Sequence, residues 1–190
     1  MDGARGQFLG RLAGLSRGDL ATLRREAGNT LGESRRALGL FYRMLPPSLA
    51  SGRHEEVCFL VATLFALNDR PHSGDFGTTM RDVRAARGGG PRLEGENEGP
   101  IDRRMRVLLD SDFERVGGRA GGGELAYRLR QCVSLARSAE VGVDWGQLLD
   151  DLTRWDLPER RVQKRWARSY YSNQETATEP TSEEGADNAA

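Results

Sequence analysis

The stretch VDWGQLLDDLTRWDLPERRVQKRWARSYY, from Val143 to Tyr171, predicts two helices in succession, because apolar side chains recur in it at helical spacing. On the first helix, five apolar side chains share one face: Trp145, Leu148, Leu149, Leu152 and Trp155. On the second helix, the shared face carries Val162, Trp166, Ser169 and Tyr170. Trp145 and Trp155 are therefore expected to anchor a helical core rather than to stack on nucleic-acid bases.

Start and stop signals extend the helical pattern over the whole chain. Thr30–Glu33 has the sequence of a capping box, and Ser16–Asp19, Asp144–Gln147 and Asp156–Glu159 are close variants of it. All seven prolines fall at proposed helix ends, first turns or loops. The predicted helices span approximately residues 5–15, 18–28, 33–45, 55–68, 77–87, 101–110, 123–138, 145–155 and 158–171. No stretch is a convincing strand, so the sequence predicts an all-α fold.

A glycine- and proline-rich stretch divides the chain. RGGGPRLEGENEGP, residues 87–100, has the composition of a linker or long loop. Each side of it holds one strongly apolar helix, EEVCFLVATLFAL at 55–67 and ELAYRLRQCVSLA at 124–136. We predict two small helical bundles joined by a Gly/Pro-rich loop: an N-terminal bundle over 1–88, a linker over 89–100, a C-terminal bundle over 101–172 and a disordered acidic tail over 173–190.

The charge of the chain is unevenly distributed. Its 28 basic and 28 acidic side chains cancel, but the last 19 residues hold five acids and no base, so residues 1–171 carry a net charge of +5. On the last predicted helix, the cations lie within an arc of about 140° opposite the apolar face; they are Arg160, Arg161, Lys164, Arg165 and Arg168. A solvated face is the simplest explanation, but cations without interleaved acids repel each other. We favour an electropositive track that binds phosphates or an acidic partner surface.

The inventory of reactive groups does not favour an enzyme. GGGELA at 121–126 fits a loose dinucleotide-binding pattern but follows no strand, and neither His54 nor His72 has a partner at metal-ligand or triad spacing. Asp150 and Asp151 are expected on a solvated helix face, and Cys58 and Cys132 at buried helical positions. We therefore expect no catalytic residues, no cofactor and no metal. Without a leader or a long apolar run, a membrane association is not expected, and the cytoplasm is the expected location.

Six blocks of the chain, in order, resemble the CasB family, the small subunit of Cascade, which is the type I-E CRISPR surveillance complex. They are LRREAG at 23–28, LFYRMLPP at 40–47, GRHEEVCFLVATLFAL at 52–67, GDFGTTMRDVRA at 74–85, IDRRMRVLLDSD at 101–112, and the long block from Leu129 to Tyr171. The resemblance extends from about residue 5 to residue 171. Its most specific part is the stretch quoted first.

This resemblance implies a wholly α-helical, two-domain protein without enzymatic activity. Two copies of such a subunit, a homodimer within the complex, would lie against other Cascade subunits that hold the guide RNA. They would contact the target strand and the displaced non-target strand without reading sequence, and so stabilise the R-loop. This role agrees with the general energetics of R-loop formation. The free energy of exchanging a DNA duplex for an RNA–DNA duplex is close to zero, so protein contacts to phosphates can favour the open state.

Carried over residue by residue, the resemblance implies a set of nucleic-acid-binding side chains: Arg24, Arg25, Arg53, Arg103, Arg104 and Arg130. Further candidates are Arg81, Arg161, Lys164 and Arg165. Contacts with neighbouring subunits are the alternative role for several of them. Two other functions stay open at this level: a free-standing helical DNA-binding regulator, which would bind specific sequences, and a structural adaptor whose basic faces meet acidic protein surfaces.

Overall fold

The computed structural model describes residues 2–89, 98–113, 115–116, 119–120 and 123–172. Within these ranges the chain forms nine α-helices: α1 Asp2–Ala13, α2 Arg17–Arg25, α3 Leu38–Met44, α4 Gly52–Phe65, α5 Phe76–Ala86, α6 Pro100–Asp110, α7 Gly123–Ser138, α8 Trp145–Thr153 and α9 Arg161–Tyr171. Two-residue strands, β1 Arg115–Val116 and β2 Arg119–Ala120, pair as an antiparallel hairpin. The predicted all-α fold is confirmed, and each predicted helix has a counterpart.

Two of the predicted start signals cap α-helices as expected. The Ser16 hydroxyl accepts a hydrogen bond from the Asp19 amide at 3.1 Å, and an Asp144 carboxylate oxygen accepts one from the Gln147 amide at 2.9 Å. Each bond satisfies an amide that has no partner inside its own helix.

The Thr30–Glu33 pattern starts a different element from the expected one. The Glu33 carboxylate accepts from the Thr30 amide at 2.9 Å, but the element that follows is a single 3₁₀ turn, Leu31–Glu33. Helix α3 begins only at Leu38. The predicted helix over 33–45 therefore started five residues too early.

The Asp156–Glu159 pattern was wrongly interpreted as a helix start. The Asp156 carboxylate forms an ion pair with Arg53 and accepts a hydrogen bond from the Phe113 amide at 3.4 Å. Its partners therefore lie outside the following helix, and it does not cap that helix. Glu159 and Arg160 then adopt positive φ angles of 72° and 52°. These left-handed residues end a 3₁₀ turn at Pro158–Arg160 and turn the chain into α9.

Helix α4 is the centre of the core. Every residue from Val57 to Ala66 is buried, and α4 packs against α2, α7 and α8. Edge-on aromatic contacts join it to its neighbours, with Phe59 5.3 Å from Phe41 and Phe65 5.6 Å from Trp145, measured between ring centroids. Buried side chains from residues 1–88 and 101–172 thus form one contiguous apolar cluster.

The proposed division into two bundles stays a prediction. Residues 90–97 of the proposed linker and the proposed tail at 173–190 lie outside the described residues. What the described part shows is that helices from both sides of the proposed linker share the core around α4.

The tryptophans anchor the core, as their helical spacing predicted. Trp155 and Trp166 are buried with ring centroids 4.8 Å apart. The indole N–H of Trp155 donates to the Ser111 carbonyl at 2.9 Å, and that of Trp166 donates to the Asp151 carboxylate at 2.6 Å. Because both polar N–H groups have acceptors, these two large side chains are buried without leaving a donor unpaired.

The prediction that both cysteines are buried is confirmed. Cys58 and Cys132 are buried free thiols, and burial raises the pKa of each to about 12, so neither is a reactive thiolate at neutral pH. His72 is hydrogen-bonded, with its Nε2 3.0 Å from the Asp82 carboxylate. In the described part of the chain, no three His, Cys, Asp or Glu side chains are grouped so that they could hold a metal ion. None of the helices described combines the length and the apolar character needed to cross a bilayer.

A buried carboxylate ties three helices together. Asp102 on α6 accepts hydrogen bonds from the Tyr170 hydroxyl on α9 at 2.6 Å and from Arg84 on α5 at 3.4 Å, and its second oxygen accepts from the Gly99 amide at 3.1 Å. Burial by itself raises the pKa of Asp102, but the bonds from Tyr170, Gly99 and Arg84 outweigh it, and the pKa lies below its usual value. The ionised form is therefore the one that the fold stabilises.

The lowered pKa of Asp102 predicts a loss of stability in acid. A carboxylate whose pKa is lower in the folded chain stabilises the fold above the unfolded pKa, about 3.9, and loses that contribution as the pH falls through the folded pKa. Urea unfolding of the wild type and Asp102→Asn, measured from neutral pH to about pH 2.5, should show the difference in stability narrowing below about pH 4. A difference that stays constant over this range would contradict the assignment.

Candidate nucleic-acid interface

Two adjoining depressions between α6 and α7 form a cationic concave surface. Their volumes are about 290 and 430 Å³, and they share Arg104 and Gln131. We call them together the α6–α7 groove; its long polar and aromatic side chains are Arg103, Arg104, Tyr127, Arg128, Arg130 and Gln131. No described carboxylate lines it, so the groove can attract an anion such as a phosphate.

Helical periodicity on α7 explains why these side chains face the groove. Leu125, Leu129, Cys132, Val133 and Ala136 are buried on the core side of α7. Tyr127, Arg130, Gln131, Ser134 and Ser138 recur at spacings of three and four residues and line the groove instead. Helix α6 supplies the facing wall with Arg103 and Arg104, which its own buried residues, Met105 and Leu108, direct outward.

The arginines of the groove differ in how far their charge is compensated. Arg128 is paired with Glu124 at 3.0 Å, and Arg103 lies 3.9 Å from Glu98. Arg104 donates only to the Pro100 carbonyl, at 3.5 Å. Arg130 has no ion pair or hydrogen bond with any described residue. Arg104 and Arg130 are thus the two cations best placed to bind a ligand phosphate.

The loop that follows α2 lies beside the groove. Gly28 has a φ of 94°, and a Cβ placed on it would lie 2.9 Å from the Cδ of Arg130, so the α2 terminus lies against that side chain. Arg24 donates to the Ala66 carbonyl at 2.6 Å. Arg25 is exposed and has no ion pair among the described residues. Of the predicted residues, the structure therefore brings three together in the groove: Arg103, Arg104 and Arg130.

Arg53 is committed to contacts inside the chain. Its guanidinium lies 4.6 Å from the centroid of the Phe113 ring, forms an ion pair with Asp156 and donates to the Leu152 carbonyl at 3.0 Å. These contacts fasten α4 to the turn after α8. A structural role is therefore assigned to Arg53, and its predicted contact with a nucleic-acid strand is not tested.

Arg165 and Arg81 also make contacts inside the chain. Arg165 forms ion pairs with Asp151 and, at 3.5 Å, with Asp75. Arg81 donates to the Ser169 carbonyl at 3.4 Å and lies 3.4 Å from Asp82. Both side chains connect α9 to other helices, and their strand-binding role likewise stays a prediction.

The basic face of α9 is less cationic than its sequence indicates. Arg160 lies 3.5 Å from Asp110, Arg161 lies 2.9 Å from Glu159, and Arg165 is paired as described above. Only Lys164 and Arg168 of this face have no ion pair with a described residue. Acids on α6 and α8, at the N-cap of α5 and in the turn before α9 thus neutralise three of the five cations.

The sequence analysis did not single out Tyr127 and Arg128, which line the groove, or Arg87, which lies beside it. Arg128 and Tyr127 lie outside the apolar stripe of α7, which was a usable signal. Arg87 donates to the Ser138 hydroxyl at 2.7 Å, at the far end of the groove from Tyr127. It stands where the predicted helix 77–87 meets the glycine-rich stretch 87–100, and it is the C-cap residue of α5.

Comparison with known proteins confirms the resemblance found in the sequence. Residues 19–171 match the family model described as CRISPR-associated protein Cse2. A CRISPR-associated protein Cse2 of Thermus thermophilus is 38% identical over 140 residues, which cover 70% of each chain. The crystal structure of a Cse2-family protein from the same organism superposes with a TM-score of 0.62 at 32% identity, covering 86% of this chain and 93% of that one. For M. ruber CasB, the TM-score is 0.63 at 26% identity, with coverages of 88% and 92%. The chain belongs to the CRISPR-associated Cse2 family.

Proposed function

We propose that this chain is the non-catalytic small subunit of a cytoplasmic type I-E CRISPR Cascade complex. It binds nucleic acid without sequence specificity and stabilises the R-loop by holding the target and displaced DNA strands. Two copies bind side by side among the other Cascade subunits and the guide RNA. The observation that carries the proposal is the α6–α7 groove, which four arginines and no described carboxylate line.

Phosphate contacts suffice for this task. An RNA–DNA heteroduplex is about as stable as the DNA duplex that it replaces, so a modest affinity for the displaced strand shifts the balance toward the open state. Guanidinium groups match phosphate oxygens in geometry and keep their charge at any physiological pH. Contacts to the backbone carry no direct information about sequence. A groove of this kind therefore holds any strand equally well.

Replacing three arginines that line the groove tests the proposal. In Arg103→Gln/Arg104→Gln/Arg130→Gln, the affinity of the full chain for an oligo-dT of about 20 nucleotides should fall about 100-fold at 0.1 M salt. Each phosphate contact contributes about −0.7 to the slope of log affinity against log salt, so the slope should become less negative by about 2. Fluorescence anisotropy over a salt series measures both quantities.

A matched triple variant controls for net charge. Arg17, Arg36 and Arg154 are exposed and do not line the groove, so their replacement by glutamine changes the net charge equally and should leave the slope nearly unchanged. Equal effects of the two triple variants would refute the groove as the binding site. Tight binding to one DNA sequence alone would favour the free-standing regulator. Absence of salt-dependent binding would favour the structural adaptor.

A further inference from the structure

One large aromatic side chain stands in the cationic groove. Tyr127 is 50% exposed and lines the larger depression together with Arg104 and Arg130. The other large exposed apolar side chains of the described chain, Tyr42, Leu157 and Tyr171, do not line the groove. The exposed ring of Tyr127 therefore coincides with the site that attracts phosphates.

The polar side of α7 continues from this ring along the groove. Ser134 and Gln131 line it and have no hydrogen bond with any described residue, so their polar groups are available to a ligand. From Tyr127 to Ser138 the helix rises about 17 Å. This length corresponds to several nucleotides of a stacked strand, which rises about 3.4 Å per nucleotide. Arg87, bonded to the Ser138 hydroxyl, adds a cation at the far end.

We infer that the ring of Tyr127 is a stacking platform for one unpaired base of a single strand held in the α6–α7 groove. The flanking phosphates of that strand contact Arg104 and Arg130. This inference rests on the proposed function and adds to it a subsite for the base. The guanidinium of Arg128 lies over the ring, 5.6 Å from its centroid, so a base would stack on the opposite face.

The subsite gives the groove a preference for single strands over duplex DNA, which cations alone do not provide. Phosphate contacts hold duplex and single strands alike, whereas only an unpaired base offers a free face to an aromatic ring. Every base has such a face, so stacking adds affinity without reading sequence. Tyr127 thus selects unpaired strands over duplex DNA, which is the distinction that an R-loop presents.

Replacement of Tyr127 separates stacking from charge. In Tyr127→Ala, the affinity of the full chain for oligo-dT should fall by about fivefold or more, while the salt slope stays at its wild-type value because no phosphate contact is lost. Tyr127→Phe should retain the affinity. An abasic oligonucleotide of equal length should bind the wild type and Tyr127→Ala equally. Tyr42→Ala removes a tyrosine of similar exposure outside the groove and is the control. It should leave the affinity for oligo-dT and the salt slope unchanged.

The outcomes distinguish this inference from the proposed function. If Tyr127→Ala binds oligo-dT as tightly as the wild type, with a steep salt slope in both, the stacking subsite is refuted and the phosphate-binding groove stands. If the wild type binds no single strand at any salt concentration, both are refuted. Photocrosslinking with an oligonucleotide that carries 5-iododeoxyuridine should modify Tyr127 itself. Crosslinks confined to other residues would contradict the subsite.

Discussion

Replacing Gly77 with alanine should destabilise the protein by about 3 kcal/mol and lower its melting temperature by about 6–12 °C. Gly77 lies near the start of α5, where this helix crosses α9. A Cβ on Gly77 would lie 2.1 Å from the carbonyl oxygen of Trp166 and 2.8 Å from its Cα. These atoms belong to the backbone, so no side-chain rotation relieves the overlap, and the two helices have to separate.

Separation of α5 and α9 would disturb a well-packed part of the core. Phe76 and Trp166 lie 5.2 Å apart between ring centroids at this crossing, and both are buried. Calorimetry or thermal denaturation followed by circular dichroism measures the change. Gly10→Ala on α1 is the matched control, because no atom lies within 4 Å of a Cβ there. It should leave the stability unchanged or raise it by up to about 1 kcal/mol, and a similar loss in both variants would refute the explanation.

Replacing Asp151 with alanine should cost about 3 kcal/mol of unfolding free energy. The side chain was expected on a solvated face of α8, but the residue is 1% exposed. Its carboxylate accepts from the Trp166 indole at 2.6 Å and from Gln147 at 2.8 Å, and forms an ion pair with Arg165. Without it, the buried indole N–H has no acceptor, and α8 loses its polar connection to α9.

The neighbouring carboxylate provides the comparison. Asp150 also forms an ion pair, with Arg5, but its side chain is 34% exposed against 1% for Asp151, so its removal opens the ion-pair site to water. Asp150→Ala should therefore cost no more than about 1 kcal/mol. Asp151→Asn keeps an acceptor for the indole and should fall between the two alanine variants. Urea denaturation at neutral pH measures all three, and equal costs for Asp150→Ala and Asp151→Ala would disprove the distinction.

The cations of the chain fall into two groups with different expected phenotypes. Arg53 and Arg165 hold helices together, so their replacement should lower stability as well as any binding that they support. Arg25, Arg104 and Arg130 hold nothing else in place through ion pairs, so their replacement should alter binding alone. Binding data on Arg53 or Arg165 variants therefore need a stability measurement beside them.

The sequence alone predicts the approximate positions of the helices, most of the residues that face the core, and the family. These properties depend on residues within a few positions of each other. Periodicity placed Trp155 and Trp166 in the core, and side-chain caps located the starts of α2 and α8. The prediction of a helix start at Asp156 was wrong, because its carboxylate pairs with Arg53, a residue distant in sequence, instead of capping the helix.

Which charges are free to bind a ligand follows from the packing of the helices and not from the sequence. Helical periodicity assigns a side chain to a face but does not say what packs opposite that face. Arg53 and Asp156 are 103 residues apart in sequence, and Arg165 meets Asp75 and Asp151 from two other helices. The α6–α7 groove likewise exists because two helices pack side by side with arginines along the opening and no described acid between them. An ion pair forms where packing brings opposite charges within a few ångströms, and this distance is a property of the fold rather than of any one segment.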